Sequence, residues 1–207
     1  MSDIVLYCLG FLVLASAVTV AAVYNRLVVL RNRCANAFSQ IDVQLKRRFE
    51  LLPNLVESAR AYLEHERSTL ESVVKARSLA AGLLEAARAA KSKVPAVGEL
   101  SRADQAVAGL TGRLIAAAEQ YPALRADRTI QTLTEDLKST ENRVGYARQA
   151  YNDAVMEYNT TLESFPSLVF GPALGFGPAD LWWAEPESRV VPKADPARAE
   201  APAAAKK

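Results

Sequence analysis

The sequence predicts an all-α protein: an N-terminal transmembrane helix, an antiparallel four-helix bundle (three to four of its helices long) and a disordered C-terminal tail. Three observations carry the prediction. Residues Ile4 to Val23 hold no charged side chain, in a chain with 25 basic and 23 acidic residues. Four later segments place apolar residues at alternating spacings of three and four, the repeat of a helix with one buried face. Glycine is scarce before Gly145 and alanine abundant, which favours helix over sheet.

The first element is the anchor, residues 1–23. Twenty residues of helix rise about 30 Å, the thickness of a hydrocarbon core, and a helix pairs all its backbone groups internally. A removable signal peptide is the competing reading, since Ala15-Ser16-Ala17 fits a small-residue cleavage pattern. Against it, Met1-Ser2-Asp3 offers no basic side chain, and the apolar run continues through Val18, Val20 and Val23. Cys8 lacks the small residues that should precede a lipidated cysteine. Arg26, Arg31 and Arg33 follow the span closely, with Lys46, Arg47 and Arg48 beyond, and none precedes it. Basic residues stay on the cytoplasmic side, so the N-terminus should lie outside and the C-terminal domain in the cytoplasm. Gly10, Ala17 and Ala21 share one side of the span and would permit close helix approach.

The bundle follows, over residues 24–165. Its first stripe reads Leu27, Leu30, Cys34, Ala37, Ile41, Leu45, Phe49 and Leu52; its second reads Leu55, Ala59, Tyr62 or Leu63, Leu70 and Val73 or Val74, fading near Gly82. Pro53 suits the first turn of a helix, so a chain reversal is expected around Phe49 to Asn54. Residues 78–97 read as a frayed end and loop, with a break at Pro95 and Gly98. A third stripe runs Leu100, Ala103, Val107, Leu110, Leu114, Ala117 and Tyr121, ending at Pro122. The fourth is the longest: Ile130, Leu133, Leu137, Val144, Ala147, Tyr151, Val155, Tyr158, Leu162 and Phe165. From Pro166 to residue 184 prolines and glycines forbid a regular helix among strongly apolar residues, which should pack on the bundle or on a membrane interface. From Glu185 onward four prolines, many alanines and mixed charges cannot offset ordering entropy.

Composition narrows the function. A net charge of +2 without a clustered basic excess argues against nucleic-acid binding. Two cysteines, one inside the span, make neither a disulfide framework nor a metal cluster, and Cys34 falls on an apolar stripe as a small packing residue.

Several blocks then point to one family. They are Tyr24-Asn25-Arg26-Leu27-Val28, Phe38-Ser39-Gln40-Ile41-Asp42-Val43-Gln44-Leu45-Lys46-Arg47-Arg48, Leu52-Pro53-Asn54-Leu55-Val56-Glu57, His65-Glu66 and Ala76-Arg77. The run resumes with Glu119-Gln120-Tyr121-Pro122-Ala123-Leu124, Thr140-Glu141-Asn142-Arg143, Ala147-Arg148-Gln149, Tyr151-Asn152-Asp153-Ala154-Val155, Tyr158-Asn159 and Phe165-Pro166. Across residues 24–176, apart from 78–100, the chain closely resembles the LemA family. It departs from the family pattern at Phe38, at Ala150 and in Leu181-Trp182-Trp183. The resemblance implies a bacterial protein with one N-terminal membrane helix and a long-helix bundle. It implies no activity, because the family's molecular function is not established; membrane-protease and envelope-related neighbours are its only hint.

Catalytic, cofactor-binding and metal-binding residues are all expected to be none. His65, the single histidine, has Glu64 and Glu66 beside it, but adjacent helical residues point apart and cannot share a metal. No base accompanies Cys34, and no phosphate-cradling glycine loop exists. Lys46-Arg47-Arg48 reads as a solvated bundle tip, with Asp42 and Glu50 as helix-surface partners. Tyr151-Asn152 and Tyr158-Asn159 recur seven residues apart, their rings on the seam and their amides free to bond a neighbouring element; they are the candidate helix-contact residues. Four alternating helices return the chain to the bilayer at Phe165. The candidate interface residues are therefore Phe165, Pro166, Phe170, Phe176, Trp182 and Trp183, with the tryptophans at the membrane surface or capping the open end of the bundle.

The function expected is a non-enzymatic, single-pass protein acting through protein–protein contacts, as a homo-oligomer or with a membrane-protein partner. The lipid bilayer is bound through residues 4–23, and no cofactor or nucleic acid is involved. The alternative is a lipid- or ligand-sensing module built on the apolar C-terminal segment.

Overall fold

Buried apolar residues recur without a break from Val23 through Leu27, Leu30, Cys34, Phe38, Ile41, Leu45, Phe49 and Leu52 to Leu55 and Ala59. A stripe that never loses register needs a helix that never stops. In the computed structural model, which describes residues 2–63, 66–90 and 96–182, helix α1 spans Ser2–Arg60. Its 59 residues run about 90 Å. The upper part is apolar, with mean hydropathy 2.4, and unburied; by length and composition it could cross a membrane. The lower part is bundle core.

The expected reversal at Pro53 is absent, because Pro53 lies inside α1. A proline in mid-helix cannot donate to the carbonyl four residues earlier, here that of Phe49. That oxygen has another partner: the Arg77 Nε donates to it at 3.0 Å. The chain turns later, between Arg60 and Arg67. Arg77→Met should lower stability by about 1–2 kcal/mol by orphaning the carbonyl. With Pro53→Ala already in place, which restores the internal N–H, the same change should cost clearly less. A double-mutant cycle of thermal melts measures the difference.

Helix α2, Arg67–Ala89, is longer than its fading stripe predicts, and the Ala-rich stretch beyond Gly82 stays helical. A side chain at Gly82 would meet nothing, so the glycine costs propensity but no packing, while Ala80 and Leu84 beside it are buried. Arg88 reaches Asp42 at 3.4 Å, which fixes the upper limit of α2 on α1. Helix α3, Gly98–Gln120, descends beside α2. After Tyr121 come the short α4, Pro122–Ala126, and Asp127, whose carboxylate accepts the Thr129 and Ile130 N–H groups and caps α5. Helix α5, Arg128–Glu163, climbs antiparallel to α1 along its whole length. Phe38 meets Tyr151, and Arg33 meets Glu157. Helix α6, Ser167–Phe170, and a 3-10 turn at Pro172–Leu174 lead into extended residues 176–182. Among the described residues there is no strand. His65, Pro95, Trp183 and the tail 185–207 lie outside the described residues.

Because α2 and α3 reach only to the level of Asp42, the bundle has two storeys. Four helices make the lower one. In the upper, among the described residues, α1 and α5 are accompanied only by the C-terminal segment.

Candidate functional site

Every described candidate residue after Ala150 converges on the upper storey. Residues 176–182 descend along the α1–α5 seam as a strap, with Phe176, Ala179 and Trp182 buried and the two residues between each pair exposed. A repeat of three is that of polyproline II, which has no internal hydrogen bonds and leaves its backbone groups open to partners. The two Tyr-Asn pairs supply those partners. Asn159 Nδ2 donates to the Ala179 carbonyl at 2.9 Å, and the Ala179 N–H donates back to Asn159 Oδ1 at 2.9 Å. One heptad earlier, Asn152 Nδ2 donates to the Trp182 carbonyl at 3.1 Å, and the Trp182 N–H donates back to Asn152 Oδ1 at 2.8 Å. The Tyr158 hydroxyl donates to the Gly177 carbonyl at 2.8 Å and that of Tyr151 to the Asp180 carbonyl at 3.0 Å. Burial pushes both phenol pKa values upward, so the hydroxyls keep the protons they donate.

Two aromatic anchors close the strap. Phe176 stands edge-on to Tyr24 and lies under the Arg31 guanidinium at 4.8 Å. Trp182 is 2% exposed, edge-on to Tyr151, with Arg148 5.9 Å above its ring. Of the two expectations for this segment, a membrane surface or packing on the bundle, the burial of Phe176 and Trp182 fits the second. Trp182 sits at the level of Asn152 and so of Phe38, fifteen residues or about 22 Å along α1 from Val23, where the apolar run ends. Its place is in the core because the chain doubles back at α6, a reversal that proline and glycine content shows only as irregularity.

The other candidates lie above. Phe165 is 83% exposed, and Leu168 and Val169 are 58% and 59% exposed, forming an apolar knuckle where α5 ends. Pro166 is half-buried and Phe170 packs against the core. Glu157 pairs with Arg33 at 3.1 Å and Arg26 at 3.7 Å. Glu163 lies six residues, about 9 Å, higher, which sets the knuckle near Val23 and the end of the apolar run. Gly171 makes the doubling-back possible: a Cβ there would lie 2.6 Å from Leu162 Cδ1 and 2.7 Å from the Ser167 carbonyl. Gly171→Ala should therefore destabilise by about 1–3 kcal/mol, read as a lower thermal midpoint, since backbone cannot yield as a side-chain tip can.

Sequence reasoning missed a second constellation, at the top of the lower storey. Arg48 is 1% exposed and Asp104 fully buried. Arg48 Nη1 lies 2.8 Å from Asp104 and 3.0 Å from Glu141, and Arg148 also pairs with Asp104. Of the basic cluster read as a solvated tip, only Arg47 is exposed; Lys46 is half-buried and Arg48 buried. The signal was spacing: Leu45-Arg48-Leu52 and Leu100-Asp104-Val107 put charges on the seam itself. Asp42, expected to serve Lys46, pairs with Arg88. Two cations and two carboxylates compensate one another between α1, α3 and α5, beside a cleft of about 390 Å³. Cys34 is buried, and its thiol pKa is raised by that burial, as a packing residue requires. Gly10, Ala17 and Ala21 are exposed along the span.

The sequence profile of the LemA family matches residues 37–195, the span that carries the ladder, the knuckle and the ionic cluster. The chain belongs to the LemA family. This LemA protein is also similar to the magnetosome proteins MamQ 1 and MamQ 2 of Paramagnetospirillum magneticum, each 26% identical over 189 residues, 84% of this chain and 70% of theirs. The magnetosome protein MamQ of Magnetospirillum gryphiswaldense is 27% identical over 158 residues, 69% of this chain and 58% of that protein.

Proposed function

We propose that this LemA protein is a non-enzymatic, single-pass component of a bacterial cell membrane that acts through protein–protein contacts, as an oligomeric scaffold or as an adaptor for a membrane or envelope process. The observation that carries the reading is the continuity of α1: the apolar segment enters the bundle core with no linker. A bundle joined in this way is held at fixed height and orientation, as a contact-making part needs. Arg26 and Arg33, on the first turns below the span, favour a cytoplasmic bundle with the N-terminus outside. Residues 4–23 would then sit in lipid, and Phe165, Leu168 and Val169 would meet the headgroup region, where exposed apolar side chains are stabilised rather than penalised.

Cross-linking of the full chain in native membranes tests the contact role. One discrete mass, a fixed multiple of the chain or a complex with one partner, is expected. Monomer alone with cross-linkers of every length would contradict it.

A further inference from the structure

The strap groove has the properties of a peptide receptor. All six ladder hydrogen bonds join a Tyr-Asn side chain to a main-chain atom of the strap, so the ladder reads backbone and not sequence. Sequence is read at three positions only, those of Phe176, Ala179 and Trp182. This is the logic of polyproline-II recognition, in which a preformed extended segment offers its main chain and anchors spaced by three. The chain fills its own groove, tethered through a short glycine- and proline-bearing connection in which Gly175 takes φ 79°. Nothing in the ladder distinguishes that tether from another.

We propose that the α1–α5 groove is an exchangeable peptide-binding site, and that the occupant it takes in trans is the 176–182 strap of a second copy of this chain. A second copy carries the three anchors in the right order. If both copies hang from one bilayer by equally long α1 helices, its strap also starts at the same height as the groove it must enter. Exchange preserves every ladder bond, so the free-energy difference between closed monomer and strap-swapped dimer is small and local concentration decides it.

The inference rests on the contact-forming role proposed above, and the test separates the two. A photo-cross-linking residue replaces Leu181, which is exposed within the strap. One tagged full-length copy carries it together with Asn152→Ala and Asn159→Ala, which disable its groove. A differently tagged copy carries Phe176→Ala and Trp182→Ala, which disable its strap. Reconstituted in one vesicle of phosphatidylethanolamine and phosphatidylglycerol, this pair should cross-link between chains several-fold more than two otherwise unaltered copies, with the bond mapping to residues 147–162 of the strap-disabled copy. Cross-links confined within one chain would overturn the exchange, while an assembly detected without strap cross-links would leave the contact role standing. No association by any reagent would sink both. If circular dichroism shows either variant to have lost its helix, the otherwise unaltered pair decides: strap-to-groove bonds between tags support exchange, and intrachain bonds alone overturn it.

Discussion

Replacing Trp182 by alanine is expected to undock the strap while the long helices stay folded. The indole is the lowest anchor of a segment that has no hydrogen bonds of its own, and truncating a fully buried tryptophan removes about 3–5 kcal/mol. A seven-residue extended segment cannot hold against such a loss through Phe176, Ala179, two amide pairs and two tyrosine hydroxyls. The loss should be local, because α1 and α5 remain zipped along their seam. Hydrogen exchange gives the readout. The Ala179 and Trp182 amides, held by Asn159 and Asn152, should be protected in the native protein and exchange freely in Trp182→Ala, while mid-α5 amides remain slow. Unchanged protection at both positions would mean that the strap is held by something other than its anchor.

The second large effect is expected at Asp104. Asp104→Ala removes the one fully buried carboxylate beside Arg48 and Arg148 and leaves two guanidinium groups sharing the half-exposed Glu141. Uncompensated buried charge costs about 3–5 kcal/mol. For a chain of this size that is a fall of roughly 6–20 °C in melting midpoint. Replacing the pair together, Arg48→Met with Asp104→Leu, should recover most of the loss, since Arg148 and Glu141 still balance. Thermal melts of the unaltered protein and the two variants decide. A double variant as unstable as Asp104→Ala would show that the cluster contributes through its hydrogen bonds and not through charge balance.

These sites show what the sequence could convey. The stripes on α1 and α5 are local in sequence and were legible residue by residue, from Leu27 to Leu52 and from Ile130 to Leu162. So was the heptad of Tyr-Asn pairs, although what the amides grip was not, since the strap lies twenty to thirty residues away and carries no periodicity of its own kind. Pro53 misled because its local rule is sound: a proline usually opens or ends a helix. The exception depends on Arg77, which returns in space but not in sequence. Arg48 misled for a similar reason. Near Asp42 and Glu50 it resembles an ordinary surface cation, and only the packing of α3 brings Asp104 to it. The descent of Trp182 follows from Gly171, where the bare Cα lets the chain reverse against Leu162.

The central claim is that α1 fixes the bundle directly beneath a bilayer, with the end of α5 touching it. An environment-sensitive fluorophore on a cysteine at Leu168 measures this most directly, in full-length protein with Cys8→Ala, reconstituted into lipid nanodiscs. A second probe at Tyr146, exposed on α5 and about 25 Å below the end of that helix, serves as reference. The account predicts a blue-shifted probe at Leu168, quenched by lipids that carry a nitroxide near the headgroup, and a water-like, unquenched one at Tyr146. Equal, water-like emission from both positions would contradict it.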